Sequence, residues 1–487
     1  MTLPWLRLAL VAGTLSACLE PPATPPRSND AVVRRIMPPR SRAVAGDFSA
    51  LEAPPSAYPA REAPGVNAVG KVLANGVEIL VCERGQLPFV ETMVIVDRGA
   101  GDASGTFSGL AAWGMLGSNA HYTRSETIHQ RSLIGTSLYA TMGNDYVGLQ
   151  YATERSLFFQ LFDHALYGVS EPELPSDEAK AYRDDYLANR ASRMSHPFAA
   201  ASETLVGLVL GKDHPYAALP RVDDTTNANV VAFRDQNIAP DRIAVLVAGQ
   251  MEAGRVFREV ERTLGSLKPR VTVPRPPPQP PVLPKARLYV IDRPGSAQAV
   301  LGIGYPGVSA LAPDAAALRV LTARFASGIR SLLGHELREV QGKTYGVSGR
   351  AQLLRQAGLV SLVFATPEVD APAAARRVLE LVAGAGTLLA DDDELTEARR
   401  SAHREVLGTP STNGEALETL AWIRGLGVPY DAPRKWGAQI EAMTPEIARA
   451  VASRYLRREN AQVVVIGDRA KLEGPLRAAL PDFEWLP

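Results

Sequence analysis

Near the middle of the 487-residue chain lies the stretch Lys268-Pro-Arg-Val-Thr-Val-Pro-Arg-Pro-Pro-Pro-Gln-Pro-Pro-Val-Leu-Pro284, which decides how the chain is organised. Proline has a fixed φ and no backbone N–H, so this many prolines exclude both a helix interior and a central strand. The stretch is therefore predicted to be an extended, semi-rigid linker over residues 268–284. It separates two parts of similar size, residues 66–267 and residues 285–487.

The two parts repeat one pattern of predicted elements. Near its end, each part has a helix-like run, then a buried strand that ends in glycine, then a second helix. The strands are Ile243-Ala-Val-Leu-Val-Ala-Gly249 and Ala461-Gln-Val-Val-Val-Ile-Gly467. Each part also opens with strand-like runs, residues 77–82 and 90–96 in the first and 287–291 and 299–304 in the second. The repetition predicts an α+β fold of two tandem homologous domains, each a mostly antiparallel sheet covered by helices on one face.

Composition narrows the functional classes. Hydrophobic residues make up 46% of the chain and charged residues 21%, as in an ordinary globular protein. The 52 basic residues balance the 52 acidic ones, so no net charge attracts a nucleic acid or an anionic membrane surface. We therefore expect no nucleic-acid partner.

The N-terminal residues carry the pattern of a bacterial export signal. One early arginine is followed by a short apolar run and by Leu15-Ser-Ala-Cys18, which resembles a lipobox. Residues 1–17 are thus predicted to be a lipoprotein signal peptide, and Cys18 is predicted to carry a lipid that anchors the chain without spanning the membrane. Residues 18–65, rich in Pro, Ala and Arg, are expected to form a disordered stalk. Leu19 in place of an aspartate favours the outer membrane of the cell envelope, facing the periplasm.

The seven histidines form no recognised zinc motif. None lies in a His-x-x-Glu-His or His-Glu-x-x-His array, the spacings that place two imidazoles on one face of a helix. The nearest group is His121, Glu126 and His129, for which a solvated helix edge is the simpler interpretation. The run Gly302-Ile-Gly-Tyr-Pro-Gly307 has three glycines but ends in Pro-Gly instead of opening a helix, so it gives only a weak dinucleotide signal.

One further segment combines two polar side chains with a predictable local structure, Leu337-Arg-Glu-Val-Gln-Gly-Lys-Thr-Tyr-Gly-Val-Ser-Gly349. It predicts the end of a helix, a C-cap at Gly342 and a strand that starts near Thr344. Arg338 at the helix end and Tyr345 at the strand start are then expected to project near one another. From the residues alone, a surface arginine and an ordinary strand tyrosine are the simpler interpretation.

Several short motifs, taken in their order along the chain, resemble one known family. They are Leu73-Ala-Asn-Gly76, Pro88-Phe-Val90, Ser108-Gly-Leu-Ala111, Gly143-Asn-Asp-Tyr146, His214-Pro-Tyr216, the strand that ends at Gly249, and Leu337-Arg-Glu339 with residues 342–345. From about Leu73 to Phe483, the chain is similar to the insulinase-like and mitochondrial-processing-peptidase-like zinc peptidases. The resemblance implies related tandem α+β domains that close around a peptide chamber.

The resemblance also implies where zinc is bound in an active relative. There, Ser-Gly-Leu-Ala is followed by His-x-x-Glu-His, which falls here on Ala112 and Leu116 as ligands and on Met115 as general base. A distal glutamate falls within residues 177–190, at Tyr182 or Asn189. These side chains offer neither imidazole nor carboxylate to bind Zn²⁺ or to lower the pKa of its water. We expect no metal and no catalytic residue in this chain.

By contrast, Arg338 and Tyr345 match the family's substrate-binding pair, which stands near the scissile carbonyl. The resemblance implies a non-catalytic subunit of a two-chain zinc metallopeptidase, in which a homologous partner carries His-x-x-Glu-His and the zinc. This chain then binds the peptide substrate through the pair, forms half of the chamber and is inactive alone. Two alternatives stay open: a catalytically dead envelope scaffold or peptide-binding lipoprotein, and a zinc endopeptidase with ligands relocated to His121, Glu126 and His129.

Overall fold

The computed structural model describes residues 66–85, 87–102, 114–173, 175–217, 226–328, 331–385, 392–408 and 410–487. The predicted signal peptide, the lipidation site at Cys18 and the predicted stalk lie outside the described residues. Within the described ranges, no helix is both long enough and apolar enough to cross a membrane.

The first sheet is built from residues on the N-terminal side of the linker. Its strands are β1 (Val69–Val72), β2 (Glu78–Glu83), β3 (Phe89–Val96), β4 (Leu138–Met142), β5 (Val147–Glu154) and β6 (Ile243–Gly249). Their order is β1-β2-β6-β3-β5-β4, and neighbouring strands are antiparallel except for the parallel pair β2 and β6. The central strands are rich in β-branched residues, which suit a sheet that is buried on both faces.

The second sheet repeats this arrangement on the C-terminal side of the linker. Its strands are β7 (Arg287–Asp292), β8 (Gln298–Gly307), β9 (Val347–Leu353), β10 (Gly358–Pro367), β11 (Gln462–Gly467) and β12 (Glu484–Leu486), in the order β12-β7-β11-β8-β10-β9. Strands β7, β11, β8, β10 and β9 therefore occupy the places of β2, β6, β3, β5 and β4. The outermost strand differs, because β1 runs antiparallel to β2 whereas β12 runs parallel to β7. The predicted duplication of a mostly antiparallel α+β unit is confirmed.

Helices connect these strands. The first half contains α1 (Arg124–Ile134), α2 (Phe158–Ser170), α3 (Ser176–Ser195), α4 (Pro197–Leu210), α5 (Asn227–Asn237) and α6 (Ala253–Leu264). The second half contains α7 (Ala315–Ala326), α8 (Leu332–Gly334, continuing as a π-helix over His335–Val340), α9 (Ala371–Ala383), α10 (Asp392–Leu407), α11 (Asn413–Leu426), α12 (Ala432–Glu441), α13 (Pro445–Tyr455) and α14 (Arg469–Ala479). The predicted order of helix, strand ending in glycine and helix is present twice, as α5-β6-α6 and as α13-β11-α14.

Each sheet is covered on one face by helices of its own half, as expected, and on the other face by a helix of the other half. In β6, Val245 and Val247 point into a core that includes side chains of α2 and α6. Leu246, between them, points to the other side and packs against Leu417 and Leu420 of α11. Because α11 belongs to the second half, the first sheet is closed by a helix from the other side of the linker.

The exchange is reciprocal, because α4 of the first half lies on one face of the second sheet. Leu205 of α4 packs against Val300 of β8 in this second core. Gly302 and Gly304 of β8 make room for the helix: a Cβ at Gly304 would lie 2.9 Å from Val209 Cγ2 and 3.0 Å from Leu205 Cδ2. The three-glycine run noted in the sequence is thus a place where a helix approaches a strand closely, which fits the weakness of its dinucleotide signal.

The proline-rich linker contains neither helix nor strand and is held by side chains from both halves. Prolines remove backbone donors but keep their carbonyl acceptors. Arg355 of the second half donates a hydrogen bond to one of these carbonyl groups, that of Pro276, at 2.6 Å. The linker's own Arg275 binds both carboxylate oxygens of Asp102 in the first half, at 2.8 and 3.0 Å. These hydrogen bonds restrict the conformation of the linker, although it has no regular secondary structure.

Gly304→Ala is expected to lower the free energy of unfolding by about 1–3 kcal/mol, because the added methyl group enters space already filled by α4. Gly207→Ala is the matched control, since a Cβ at this α4 position meets nothing within 4 Å. Alanine in place of a helical glycine should raise the free energy of unfolding by up to about 1 kcal/mol. Urea denaturation followed by circular dichroism measures both changes. A neutral Gly304→Ala would contradict the close packing of α4 on β8.

Candidate functional site

Two of the three expected zinc-site positions are occupied by packing side chains. The described chain resumes at residue 114 with a short helical turn, residues 114–116, and Ala112 lies outside the described residues. Met115 is 2% exposed in the core of the first half, and Leu116 packs against the same core. Helix α2 passes so closely that a Cβ at Gly168 would lie 2.6 Å from the Met115 carbonyl oxygen. Position 115 therefore offers no solvated place for a general base.

A carboxylate that the sequence analysis missed binds the loop after this turn. Glu178 of α3 accepts hydrogen bonds from Ser118 N at 3.1 Å and from Ser118 Oγ at 2.7 Å. A Cβ at Gly117 would collide with the same carboxylate, which accounts for the glycine. The contact spans 60 residues, and no local motif indicates it. Of the two positions considered for the distal glutamate, Tyr182 is buried and Asn189 is exposed.

His121, Glu126 and His129 do not come together as a ligand set. The His121 ring stacks on Tyr167 with 3.7 Å between the ring centres, and its Nε2 lies 3.2 Å from Glu171 Oε2. Glu126 is used in a capping box at the start of α1, and His129 is exposed. Among the residues that the structure describes, no three His, Cys, Asp or Glu side chains are placed to hold a metal ion. The geometry thus gives no support to relocated zinc ligands.

The structure places Arg338 and Tyr345 next to one another, as expected. After the π-helix, Gly342 adopts a φ of 63°, in the left-handed region that glycine enters without strain. Its N–H donates to the Arg338 carbonyl, and the N–H of Lys343 donates to the Leu337 carbonyl. This turn reverses the chain, so that Arg338 Cζ lies 5.2 Å from the centre of the Tyr345 ring, within the range of a cation–π contact.

The strand begins later than the sequence predicted, at Val347 rather than near Thr344. Thr344 Oγ1 donates to the Gly346 carbonyl at 3.1 Å and accepts from the Gly346 N–H at 3.3 Å. This local turn competes with strand pairing, as threonine side chains often do. Tyr345 therefore stands on a turn in front of β9 and not within the sheet.

The Arg338–Tyr345 pair faces solvent on a fixed support. Tyr345 is 91% exposed, and Arg338 Nε lies 3.4 Å from Glu339, an ion pair that water screens. Behind the pair, Arg377 of α9 donates to Glu336 at 2.9 Å, and this bond lowers the pKa of the Glu336 carboxyl below its ordinary value. The ion pair fixes α8 against α9. The partly exposed guanidinium and the exposed phenol can donate hydrogen bonds to an acceptor outside the chain.

Two other motifs quoted from the sequence meet at the boundary between the halves. Tyr216 Oη donates to Asp145 at 2.6 Å, and Asp145 also accepts the backbone N–H of Arg355 at 3.1 Å. The N–H of Gln356 donates to Tyr216 Oη at 3.0 Å. Burial raises the pKa of the Asp145 carboxyl, and the bonds from Tyr216 and Arg355 oppose that rise. These residues hold the turn between β9 and β10 against the first half.

Met115→Glu, which puts a carboxylate at the position expected for a general base, should lower the free energy of unfolding by about 3 kcal/mol or more, because position 115 lies in the core. Met115→Leu, which conserves volume and polarity, should cost less than about 1.5 kcal/mol. Urea denaturation measures both. A Met115→Glu protein as stable as the parent chain would show that position 115 is not the packed site described here.

The chain is similar to known proteins in sequence and in fold. Residues 224–402 match the sequence profile of a family described as the peptidase M16 inactive domain. No curated protein matches the chain. Among solved structures, the chain is similar to a peptidase M16 inactive domain from Pseudomonas fluorescens, with 19% identity, a TM-score of 0.71, and coverage of 82% of this chain and 98% of that one.

Two further solved structures share this fold. One is a protease from Helicobacter pylori, with 16% identity, a TM-score of 0.72, and coverage of 83% and 100% of the two chains. The other is an M16-like peptidase from Alicyclobacillus acidocaldarius, with 17% identity, a TM-score of 0.70, and coverage of 82% and 98%. The family resemblance is confirmed. Residues 224–402 thus match the peptidase M16 inactive-domain family, the chain shares the fold of these solved structures, and its sequence lacks the His-x-x-Glu-His motif.

Proposed function

We propose that the chain is the non-catalytic subunit of a two-chain zinc metallopeptidase. A homologous partner carries His-x-x-Glu-His and the zinc, which supplies the activated water. This chain supplies Arg338, Tyr345 and half of a peptide chamber. The main support for the proposal is the cation–π pair of Arg338 and Tyr345, which lies outside the core at a helix end capped by backbone hydrogen bonds. In the same chain, Met115 is buried in the core.

The pair has the donors that a peptide carbonyl needs as it gains negative charge. The guanidinium of Arg338 has several N–H donors and no acceptor, and the phenol of Tyr345 has one O–H. The turn at Gly342 and the ring contact fix both groups before a substrate binds, so little reorganisation is needed. Water screens such donors on an open surface. A partner that closes the chamber excludes this water and strengthens their interaction with the substrate.

The proposal is tested by peptide cleavage in a mixture of this chain with a homologous chain that carries His-x-x-Glu-His. The mixture is expected to cleave a peptide that neither chain cleaves alone. Arg338→Ala should lower kcat by about 100-fold, the usual effect of removing one donor to a developing oxyanion. Tyr345→Phe keeps the ring under Arg338 and removes only the hydroxyl, so it should lower kcat by at least about tenfold.

Matched controls separate this role from general surface effects. Arg350 of β9 and Tyr139 of β4 are exposed residues of the same types, and Arg350→Ala and Tyr139→Phe should leave kcat unchanged. If the variant that combines Arg338→Ala with Tyr345→Phe had unchanged turnover, the pair would have no role in substrate binding or catalysis. Stable peptide binding without cleavage in any mixture would favour the scaffold or peptide-binding alternative.

We also propose that the protein is a lipoprotein of the bacterial cell envelope, anchored through Cys18 to the outer membrane and facing the periplasm. The lipobox-like Leu15-Ser-Ala-Cys18 and the leucine that follows it support this location. Lipid on Cys18 would tether the peptidase complex where it meets exported or imported peptides.

Cys18→Ser is expected to abolish incorporation of radiolabelled palmitate and to move the protein from the membrane fraction to the soluble fraction of a bacterial host. Cys82→Ser is the control, because Cys82 is the other cysteine of the chain, buried in β2. Burial raises the pKa of the Cys82 thiol to about 11, so this thiol is a poor nucleophile. Full labelling of the Cys18→Ser protein would exclude the anchor.

A further inference from the structure

The middle of the linker is bonded to both halves through Arg275. Its guanidinium binds the carboxylate of Asp102 and donates to the Asp145 carbonyl at 3.2 Å, both in the first half. It also donates at 2.7 Å to the carbonyl of Gly425 in α11, which belongs to the second half. The side chains of Arg275 and Asp102 are 9% and 2% exposed, so water screens their ion pair little.

The turn between β9 and β10 meets the linker and the first half through Gln356, which is 3% exposed. Its N–H donates to Tyr216 Oη at 3.0 Å, and its side-chain amide donates to the Gly101 carbonyl. Its own carbonyl accepts the N–H of Gln279 in the linker at 2.8 Å. These three hydrogen bonds all lead out of the second half.

Asp102, Asp145, Tyr216, Arg275 and Gln356 thus form one largely buried polar cluster, which we call the clasp. Tyr216 Oη connects its members, because it accepts from Gln356 and donates to Asp145. Removing one member of such a network leaves its partners buried without a hydrogen bond. The clasp is therefore expected to open as a unit.

The β9–β10 hairpin connects the clasp to Tyr345. Leu353 pairs with Gly358 at the clasp end of the hairpin, and Val347 pairs with Phe364 at the other end, about 20 Å away. Tyr345 lies just before Val347. The core that α4 forms on the second sheet contains residues of β8, β10 and β11 but none of β9. The position of β9 relative to the first half therefore depends on the turn that the clasp holds.

We propose that the clasp is a conformational lock, which holds the β9–β10 hairpin against the first half and makes the linker a strut instead of a hinge. While the clasp is closed, β9 and Tyr345 keep one position relative to the first sheet. When it opens, they gain mobility. The lock requires neither a partner chain nor a bound peptide, so it goes beyond the proposed function and is tested independently of it.

Hydrogen–deuterium exchange of the full chain tests the lock. Tyr216→Phe removes the hydroxyl that connects the clasp and keeps the ring, so the amides of Gln356 and its neighbours in the turn should exchange at least about tenfold faster. Tyr430→Phe is the matched control, because it removes another tyrosine–carboxylate bond between the halves, to Glu78 at 2.9 Å, outside the clasp. It should leave exchange in the turn unchanged. The same exchange rates in the Tyr216→Phe turn as in the parent chain would overturn the proposal.

Double electron–electron resonance then measures the position of β9. Spin labels are attached through Ser348→Cys in β9 and Val72→Cys in β1, at two exposed positions. The chain also carries Cys18→Ser, and its remaining native thiol, Cys82, is buried. The labelled chain with an intact clasp is expected to give one narrow distribution of distances.

Variants of the clasp should change this distribution. Tyr216→Phe, alone and combined with Arg275→Gln, is expected to broaden or shift it, and Tyr430→Phe is expected to leave it narrow. Thermal unfolding verifies that each variant is folded, and measuring Tyr216→Phe alone makes the test independent of the stability of the double variant. An unchanged distribution in the folded clasp variants, or equal broadening by Tyr430→Phe, would also overturn the proposal.

Discussion

The exchange of helices between the two halves is the constraint on which the rest of the structure depends. Helix α11 covers one face of the first sheet and α4 covers one face of the second, so both sheets are buried on both faces. Without these helices, apolar rows that include Leu246 and Val464 would face water. The two halves are therefore expected to fold together, even though each sheet is built from one side of the linker.

The joint fold places the two sites expected from the sequence in different surroundings. In the first half, the position expected for a general base lies in the core: Met115 packs beneath α2, and Glu178 binds the loop that follows. In the second half, Arg338 and Tyr345 remain outside the core, on a helix end closed by backbone hydrogen bonds. The described part of the chain thus presents two hydrogen-bond donors, Arg338 and Tyr345, outside the core.

Local sequence patterns predicted the features that depend on residues close together in the chain. The repeated order of helix, strand and helix, the irregular linker and the turn at Gly342 all depend on residues close in sequence. The sheet that a helix covers cannot be predicted in this way, because the apolar faces of α4 and α11 have the same period whichever sheet receives them. The packing of α4 against Gly302 and Gly304 could not be predicted for this reason. The contact of Glu178 with Ser118 could not be predicted either, because it joins residues that are distant in sequence. The start of β9 was missed because Thr344 bonds its own neighbouring backbone.

The central claim is that Arg338 and Tyr345 act on a peptide held at the zinc of a partner chain. The most direct measurement is a structure, by crystallography or cryo-electron microscopy, of this chain with the partner and an uncleaved peptide. A guanidinium nitrogen of Arg338 and Tyr345 Oη are expected within about 3 Å of the carbonyl oxygen of the bond nearest the zinc. A complex in which the pair faces bulk solvent, with the peptide bound elsewhere, would contradict the claim.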